Sequence, residues 1–390
     1  MKKKVLFVNG HLNIGGAEKS LIDILKHIDY NLYEVDVFLI EGLGDYWSEV
    51  PKEVNLKYYD LTKSYGSFVR IMVKSIKTKD WFTLFFRIIL LLKYIFGDQA
   101  ISLAKPLFKL YTRYDCAIAY RPGICTEIVG YLVKSNKKVT WWHHGSYDYS
   151  NKLTKSWSKV YKRFDKIVAV SDSSRKLLIN NIIGIDHKVI TIPNIINVED
   201  ILYKAKNGTP YIHRENFITL ASVGRLTHEK GMVNCVHACK KLVEKGYNVK
   251  WYIIGEGDQR AKIKRYINEY KLAENIEILG ALPNPYPYMK NVDIFVHPSL
   301  VESLSITVLE ALALNTPVTV VKSLGPMEFI RHEENGILVD PTPDGLYEGI
   351  VSLLKDDTLY KRLKKDKTEV LINYSPEVVM DKIYNLIEVC

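Results

Sequence analysis

Two carboxylates, Glu302 and Glu310, stand in the otherwise apolar stretch VHPSLVESLSITVLEALAL at residues 296–314. On one helix these positions would be about 80° out of phase, so they would not form a single exposed charged stripe. Serine is a preferred N-cap, and Ser303 and Ser305 predict a helix start that leaves Glu302 on the preceding loop and Glu310 in the second turn. Both carboxylates then border a helix N-terminus, whose unpaired N–H groups and partial positive charge suit phosphate.

The stretch GRLTHEKG places two cations, Arg225 and Lys230, in one loop after a predicted strand. A guanidinium binds phosphate oxygens through paired hydrogen bonds, and an ammonium adds a mobile point charge. The combination suits a diphosphate whose negative charge grows as a bond to it breaks. Two solvated loop cations are the simpler alternative, and the position at the carboxyl end of a strand favours the phosphate site.

Two stretches of the first half also follow predicted strands. In NGHLNIGGAEKS, Gly15 and Gly16 precede a helix and let backbone amides approach an anion, although a tight strand-to-helix turn explains the pair equally well. In WWHHGS, His143 and His144 point to opposite sides of an extended chain, so one of them is expected to face a ligand. It would hydrogen-bond a sugar hydroxyl; packing in the core beside the tryptophans is the alternative.

Two further loops of the second half are candidates for ligand contact. GEGD at residues 255–258 lacks the third glycine of a dinucleotide fingerprint, so we interpret it as a turn that contacts a ligand. A loop with Asn284, Pro285 and Tyr286 is placed to border a nucleobase.

Short apolar, β-rich runs alternate with helical stretches along the chain, which is typical of parallel sheets covered on both faces. The alternation predicts two doubly wound, Rossmann-like α/β domains, with ligands beyond the carboxyl ends of their strands. Asn, Gly and Pro interrupt it near residues 195–215. We therefore predict an N-terminal domain at 1–196, a C-terminal domain at 197–374, and an amphipathic helix at 375–390 that packs on the N-terminal domain.

The twelve predicted strands are KVLFVNG, VDVFLIE, LKYYDL, DCAIAY, KVTWWHH, KIVAVS and VITIPN in the first half, and ITLASVG, KWYIIGEG, IEILGAL, DIFVHPS and PVTVVKS in the second.

The composition excludes several classes of protein. With 390 residues, 47% hydrophobic and 25% charged, the chain is an ordinary globular protein and not a disordered one. Its five cysteines form no CxxC or zinc spacing, so we expect no disulfide framework, no structural metal and a reducing compartment. The run VLFV near the N-terminus is too short for a signal peptide. No GxSxG or HExxH motif is present.

The net charge of +10 comes mostly from residues 62–114, which carry ten Lys or Arg and two Asp. In this region Val69, Val73 and Ile76 share one helical face, and a second face is basic. The apolar run at 81–96 is 16 residues long, shorter than the roughly 20 that a membrane span needs. These features predict helices on an anionic membrane surface, with buried helices and solvated lysines as the alternative. No nucleic-acid-binding motif accompanies the charge, so no nucleic-acid partner is expected.

Taken together, these motifs resemble the retaining nucleotide-sugar glycosyltransferases of family 4, which have the two-Rossmann GT-B fold. The resemblance spans nearly the whole chain and is most specific in the second half. The motifs that carry it are GGAE at 15–18, the histidine after WW, VSDSSRKLL, IPN, VGRLTHEKG, GEGD, NPYPYMKNVDIFVHPS, the Glu-x7-Glu of 302 and 310, LALNTPV and GPMEF.

The resemblance implies roles for the candidate residues. Arg225 and Lys230 would hold the diphosphate of a nucleotide sugar, Glu310 would bind its ribose, and Glu302 would address the transferred sugar. The remaining implied donor-binding residues are Gly15, Gly16, Ser303, Leu304, Ser305 and Ile306, with His143 as the family histidine and His144 in reserve.

The resemblance also implies the reaction. A UDP-sugar is the expected donor, a glycan or lipid-linked acceptor receives the sugar with retention, and no metal or other cofactor is needed. We expect a peripheral enzyme on the cytoplasmic face of the membrane that extends cell-surface polysaccharide. A GT-B epimerase or hydrolase and a non-catalytic partner subunit are the alternatives. The family's common glycines are Ser303 and Ser305 here, a departure that bears on which sugar is accepted.

Overall fold

The computed structural model of the protein describes residues 2–61, 67–108, 112–146, 159–208, 210, 217–365 and 368–388. The chain forms two compact units, an N-terminal unit of Met1–Pro193 with Val379–Cys390 and a C-terminal unit of Asn194–Val378. The domain boundaries predicted after residues 196 and 374 fall a few residues from these divisions. Residues 62–66 and 109–111 of the predicted basic region, with Lys63 and Lys109, lie outside the described residues.

The N-terminal unit is built on a seven-stranded parallel sheet in the order β3-β2-β1-β4-β5-β6-β7. Its central strands are rich in Val, Ile and aromatic residues and are buried on both faces, as is typical of parallel sheets, whereas the edge strand β3 is largely exposed. Their bounds are β1 Lys3–Asn9, β2 Tyr33–Leu39, β3 Asn55–Tyr58, β4 Arg113–Ala119, β5 Lys134–Trp142, β6 Lys166–Ala169 and β7 Val189–Thr191.

The C-terminal unit has a six-stranded parallel sheet in the order β10-β9-β8-β11-β12-β13. The predicted pair of doubly wound domains is therefore confirmed, and each of the twelve predicted strands is present. The sequence analysis did not predict the three-residue strand Ile337–Val339. The strands are β8 Ile218–Val223, β9 Val249–Ile254, β10 Ile276–Gly280, β11 Ile294–His297, β12 Val318–Val321 and β13 Ile337–Val339.

Helices follow most strands and cover the sheets. Those of the N-terminal unit are α1 Gly16–His27, α2 Phe68–Thr78, α3 Trp81–Phe96, α4 Lys105–Phe108, α5 Ile124–Glu127 and α6 Asp172–Asn181. Those of the C-terminal unit are α7 Val198–Lys206, α8 Met232–Glu244, α9 Arg260–Glu269, α10 Tyr286–Asn291, α11 Ile306–Ala313, α12 Pro343–Lys355, α13 Asp357–Leu363 and α14 Thr368–Leu371. Within the described ranges, no helix is long and apolar enough to cross a membrane.

The last helix, α15 (Pro376–Glu388), returns to the N-terminal unit as predicted. The Tyr384 ring stacks on Tyr33 with centroids 5.5 Å apart, and its hydroxyl accepts a 2.9 Å hydrogen bond from Asp29 N. Tyr33 in turn donates to Glu388 at 2.7 Å.

Strand order locates the ligand-binding edge of each sheet. In the N-terminal unit the chain reverses direction of winding between β1 and β4, and in the C-terminal unit between β8 and β11. Loops at the carboxyl ends of such neighbouring strands diverge and leave a crevice where ligands bind.

Candidate functional site

In the C-terminal unit, the loops after β8 and β11 dock on each other at this crevice. Leu300 N donates to Glu229 O at 2.8 Å, and Gly231 ends the first loop with φ 64°. A Cβ on Gly231 would lie 2.2 Å from Pro298 O, so only glycine permits the close approach. The docking brings Lys230 of the first loop to Glu302 of the second.

Glu302 is buried, and two groups contact its Oε1 atom: Lys230 Nζ at 2.6 Å and His297 Nε2 at 3.0 Å. Burial by itself would raise the pKa of Glu302, but Lys230 and the hydrogen bond from His297 outweigh it and hold that pKa well below its ordinary range. The carboxylate is therefore ionised and accepts hydrogen bonds only. Its other oxygen, Oε2, has no hydrogen-bond partner among the described residues.

Sequence reasoning missed His297, the last residue of β11. Its side chain is 3% exposed, and besides Glu302 it contacts Ser305 Oγ at 2.8 Å from Nε2 and Thr307 Oγ1 at 3.4 Å from Nδ1. The position of His297 at the carboxyl end of a strand was the available signal. It is a positioning residue for Glu302.

Helix α11 begins at Ile306, so Glu302 precedes it and Glu310 lies in its second turn, as predicted. Ser305 occupies the N-cap position, as the sequence predicts, with φ 76°, but its side chain makes no capping hydrogen bond. Its hydroxyl contacts His297 instead. The first amides of α11 consequently have no side-chain cap, and a helix N-terminus in this state suits an anion.

Glu310 is buried and accepts a 2.8 Å hydrogen bond from Tyr286 Oη. Tyr286 begins α10 and is itself 4% exposed, whereas Asn284 donates to Lys204 O and Asn207 O and so joins this loop to α7. The loop predicted to border a nucleobase therefore supports the Glu310 carboxylate.

Glycines of two motifs, GEGD and GPMEF, allow close packing against the loops that carry the site residues. A Cβ on Gly255 would lie 1.9 Å from Gly224 O, and one on Gly257 would lie 2.4 Å from Leu226 O. GEGD therefore packs directly on the loop that carries Arg225, whose side chain is exposed. Gly325 of GPMEF similarly approaches Leu304, with a Cβ placed 2.7 Å from Leu304 Cα.

In the N-terminal unit, Gly15 and Gly16 lie at the start of α1, after β1. A Cβ on Gly15 would lie 2.4 Å from Glu18 Oε2, so the glycine leaves room for this buried carboxylate. Gly16 is exposed at the helix N-terminus. The sequence left open whether these glycines form a tight turn or expose the backbone to a ligand. Gly15 fits the first interpretation, and Gly16 provides the accessible backbone of the second.

A charged cluster that sequence reasoning missed lies at the same edge. Arg121 Nη1 is 3.1 Å from His11 Nε2, 3.6 Å from Glu18 Oε1 and 3.9 Å from Glu41 Oε2. His11, Glu41 and Arg121 each lie two residues beyond a strand, after β1, β2 and β4. Their position after the strands was again the signal.

The side chains of His143 and His144 differ in exposure, as expected for neighbouring residues that point to opposite sides of an extended chain. The His143 ring is half-buried against Tyr120, with centroids 4.8 Å apart, whereas His144 is exposed and its carbonyl accepts from Trp142 Nε1. Burial, with a smaller contribution from His144, lowers the pKa of His143 to about 3. Its imidazole is therefore neutral at pH 7 and acts there as a hydrogen-bonding group.

Two cations, Arg225 and Lys230, lie in the loop after β8. Within the ranges that the structure covers, no group of three or more His, Cys, Asp or Glu is placed to hold a metal ion. Of the proposed donor-binding residues, the C-terminal unit brings Lys230 into contact with Glu302 and places Glu310 in the following helix.

Comparison with known proteins agrees with this site. Residues 206–370, which include Arg225, Lys230, Glu302 and Glu310, match the family model described as Glycosyl transferases group 1. An uncharacterized glycosyltransferase of Methanocaldococcus jannaschii is 24% identical over 73% of this chain and 72% of its own length. The N-acetylgalactosamine-N,N'-diacetylbacillosaminyl-diphospho-undecaprenol 4-alpha-N-acetylgalactosaminyltransferase of Campylobacter jejuni is 30% identical over 54% of this chain and 57% of its own length.

The whole fold also has solved counterparts. Anabaena HepE, in complex with UDP and glucose, aligns over 100% of both chains with a TM-score of 0.74 and 17% sequence identity. The same protein in complex with UDP-glucose gives a TM-score of 0.73. At this identity the likeness shows the fold, and the family match shows the enzyme class. The chain is therefore a glycosyltransferase of the GT-B fold, and residues 206–370 of its C-terminal unit match the glycosyl transferases group 1 family model.

Proposed function

We propose that this glycosyltransferase is a retaining, metal-independent enzyme of family 4 that moves a sugar from a UDP-sugar to a glycan or lipid-linked acceptor. The observation that carries the proposal is the Lys230–Glu302 ion pair, 2.6 Å long, at the crevice beyond β8 and β11. It holds a cation for the departing diphosphate beside an ionised carboxylate that recognises the sugar. The complexes of the structurally similar HepE with UDP and with UDP-glucose support the choice of nucleotide.

Lys230 and Arg225 stabilise the leaving group. An ammonium has three N–H donors, so Lys230 contacts Glu302 with one and offers the others to a phosphate oxygen. The exposed Arg225 adds a guanidinium fork from the same loop. Permanently charged side chains then neutralise the charge that develops on the diphosphate, and no divalent cation is needed for that task.

The two carboxylates address the two sugars of the donor. Glu302 Oε1 is occupied by Lys230 and His297, so Oε2 accepts a hydrogen bond from a hydroxyl of the transferred sugar. Glu310, held by Tyr286, accepts from the ribose. The amides from Ser303 to Ile306 serve the phosphates and the sugar.

The proposed chemistry proceeds on one face of the sugar. The acceptor hydroxyl attacks the anomeric carbon, the bond from that carbon to the diphosphate oxygen breaks, and the hydroxyl proton passes to the departing phosphate. His143 is neutral at pH 7, so it is suited to hydrogen-bond a sugar hydroxyl without taking the proton.

The acceptor is proposed to be lipid-linked, in the synthesis of cell-surface polysaccharide. By its name, the Campylobacter jejuni relative acts on a sugar attached to diphospho-undecaprenol. An acceptor of this kind is confined to a membrane, so we propose that the enzyme works on the cytoplasmic face of the cytoplasmic membrane.

The proposal is tested first by thermal shift with UDP, GDP, ADP and CMP, each with and without EDTA. A nucleotide at a hundredfold its dissociation constant stabilises the folded protein by about 2.7 kcal/mol. We expect UDP to give the largest shift and EDTA to leave it unchanged. A shift that depends on a divalent cation, or no shift with any nucleotide, would contradict the proposal.

The reaction is tested by NMR after incubation with UDP-sugars. With an undecaprenyl-diphosphate-linked acceptor, the product is expected to keep the donor's anomeric configuration. An inverted product would overturn retention. Rapid release or epimerisation of the sugar without acceptor would instead support the epimerase or hydrolase alternative.

A further inference from the structure

Ten of the 19 exposed large hydrophobic side chains among the described residues lie between Val69 and Leu103. Single exposed apolar side chains are normal on a protein surface, but a concentration of this kind marks an interaction site. The segment consists of helix α2, helix α3 and the turns that follow. The two helices are joined by a tight turn in which Lys79 has φ 55°.

Helix α2 turns its apolar stripe away from the protein. Ile71 and Ser75 are the buried residues of this helix. At 100° per residue, the stripe of Val69, Val73 and Ile76 lies on the opposite side of the helix, and these side chains are 69%, 46% and 55% exposed. Packing in the core therefore does not explain the stripe. The exposure of these three side chains excludes the buried-helix alternative for α2.

Basic side chains flank this stripe. Arg70, Lys74 and Lys77 are exposed and lie about 90° around the helix from the stripe, and Lys79 follows in the turn. In the part of the chain that the structure describes, none of the four is in an ion pair. The nearby Asp80 accepts hydrogen bonds from Thr83 at the start of α3. The surface therefore carries net positive charge beside its apolar stripe.

Helix α3 adds exposed aromatic side chains. Trp81 at its start is 55% exposed, and Tyr94, Ile95 and Phe96 in its last turn are 89%, 59% and 74% exposed. Phe86 and Ile89 of the same helix are buried, so the helix is anchored to the protein while its ends present apolar groups. Amphipathic aromatic rings of this kind favour the boundary between lipid headgroups and acyl chains.

We infer that the α2–α3 hairpin binds the surface of a bilayer containing anionic phospholipids. The stripe of Val69, Val73 and Ile76 enters the acyl boundary, while Lys74, Lys77 and their neighbours contact phosphate headgroups. A second copy of the chain is a poorer occupant, because a symmetric dimer would place the same basic surface against itself. The inference deepens the proposed function, since it provides the surface that meets a lipid-linked acceptor.

Co-sedimentation of the full chain with vesicles tests the inference without donor or acceptor. Wild-type protein is expected to bind mixed phosphatidylcholine–phosphatidylglycerol vesicles at least about tenfold more tightly than phosphatidylcholine alone, and more weakly at high salt. Val69→Glu/Val73→Glu should lose most of this binding. Lys74→Ala/Lys77→Ala should weaken it by about fivefold per residue on anionic vesicles.

Matched variants control for charge and folding. Ile183→Glu changes another exposed apolar side chain of the N-terminal unit, 95% exposed, and Lys262→Ala/Lys264→Ala removes two exposed lysines of α9. These variants should bind vesicles like the wild type, and all variants should keep the UDP thermal shift. Wild-type levels of binding in Val69→Glu/Val73→Glu would overturn the inference, as would equal binding to neutral vesicles. So would a wild-type dimer in sedimentation velocity that this variant dissociates. None of these outcomes affects the proposed transfer from a UDP-sugar, which UDP binding tests separately.

Discussion

His297 Nε2 lies 3.0 Å from Glu302 Oε1, so a buried imidazole at the end of β11 fixes the carboxylate assigned to the transferred sugar. The partners of the ring indicate its tautomer. Because the ionised Glu302 carboxylate can only accept a hydrogen bond, Nε2 carries a proton and donates it to Glu302. Glu302 is consequently positioned by a charge from one loop and a hydrogen bond from the neighbouring strand.

Glu302→Gln is expected to lower kcat by about a hundredfold or more while changing the Kd for UDP less than about fivefold. The amide loses the negative charge that faces the sugar and Lys230, whereas the nucleotide contacts remain. Steady-state kinetics and calorimetry with UDP measure the two effects. Glu244→Gln, whose exposed carboxylate pairs with Lys240, is the matched control. Unchanged turnover in Glu302→Gln would remove our role for this carboxylate.

His297→Phe should lower kcat by about tenfold or more and destabilise the protein by about 1–3 kcal/mol, because buried Glu302 loses a hydrogen-bond donor. His297→Gln retains an N–H donor and should recover much of the lost kcat. A purely structural role predicts instead that both variants lose stability and keep kcat. Denaturant unfolding and initial-rate kinetics separate these outcomes.

Ser305 offers a comparison between backbone strain and a hydrogen bond. Its φ of 76° is costly for any residue except glycine, by about 1–2 kcal/mol, and its hydroxyl contacts His297 at 2.8 Å. Ser305→Ala keeps the strain and loses the contact, so it should destabilise by about 1 kcal/mol. Ser305→Gly loses the contact but relieves the strain, so its free energy of unfolding should exceed that of the alanine variant. The reverse order in urea denaturation would contradict this explanation.

Gly231→Ala tests whether the docking of the two loops forms the diphosphate site. The added Cβ meets Pro298 O at 2.2 Å, whereas Gly246, with a similar φ of 85°, has no atom within 4 Å of its Cβ position. Both alanine variants carry backbone strain of about 1 kcal/mol. Only Gly231→Ala should lose more stability than that and weaken UDP binding by about tenfold. Equal effects in thermal shift would show that the loop contact is unimportant.

The acid sensitivity of the protein should depend on His143. Its pKa of about 3 in the folded state lies below the ordinary value near 6.5, so the unfolded state binds more protons between these pH values. Its contribution to stability is therefore complete above pH 6.5 and is lost as the pH falls toward 3. Between pH 7 and 5 the wild type should lose about 2 kcal/mol more than His143→Gln. Urea denaturation at both pH values measures the difference, with the exposed His187→Gln as control. Equal losses of unfolding free energy in the wild type and in His143→Gln would show that His143 lies in a solvated site.

Local patterns were sufficient for the strands and for the order of the elements. Parallel strands buried on both faces need continuous apolar runs, so twelve of the thirteen strands in the described residues were visible in the sequence. The helix start before Glu310 was also predictable, because serine is a preferred N-cap residue and Ser305 occupies that position. The absence of a capping hydrogen bond from Ser305 was not predictable. The Ser305 hydroxyl contacts His297 instead of a backbone amide of the helix, and the choice between these two partners depends on their placement in space.

The sequence by itself determined two Rossmann-like domains, with Arg225, Lys230 and Glu302 on loops after strands of the second domain and Glu310 in the helix that follows Glu302. Only the tertiary structure decided that Lys230 and His297 meet the same oxygen of Glu302, because 72 residues separate Lys230 from Glu302 and no periodic pattern encodes such a contact. The same holds for the outward stripe of α2, since helical spacing defines a face but packing decides which face is buried.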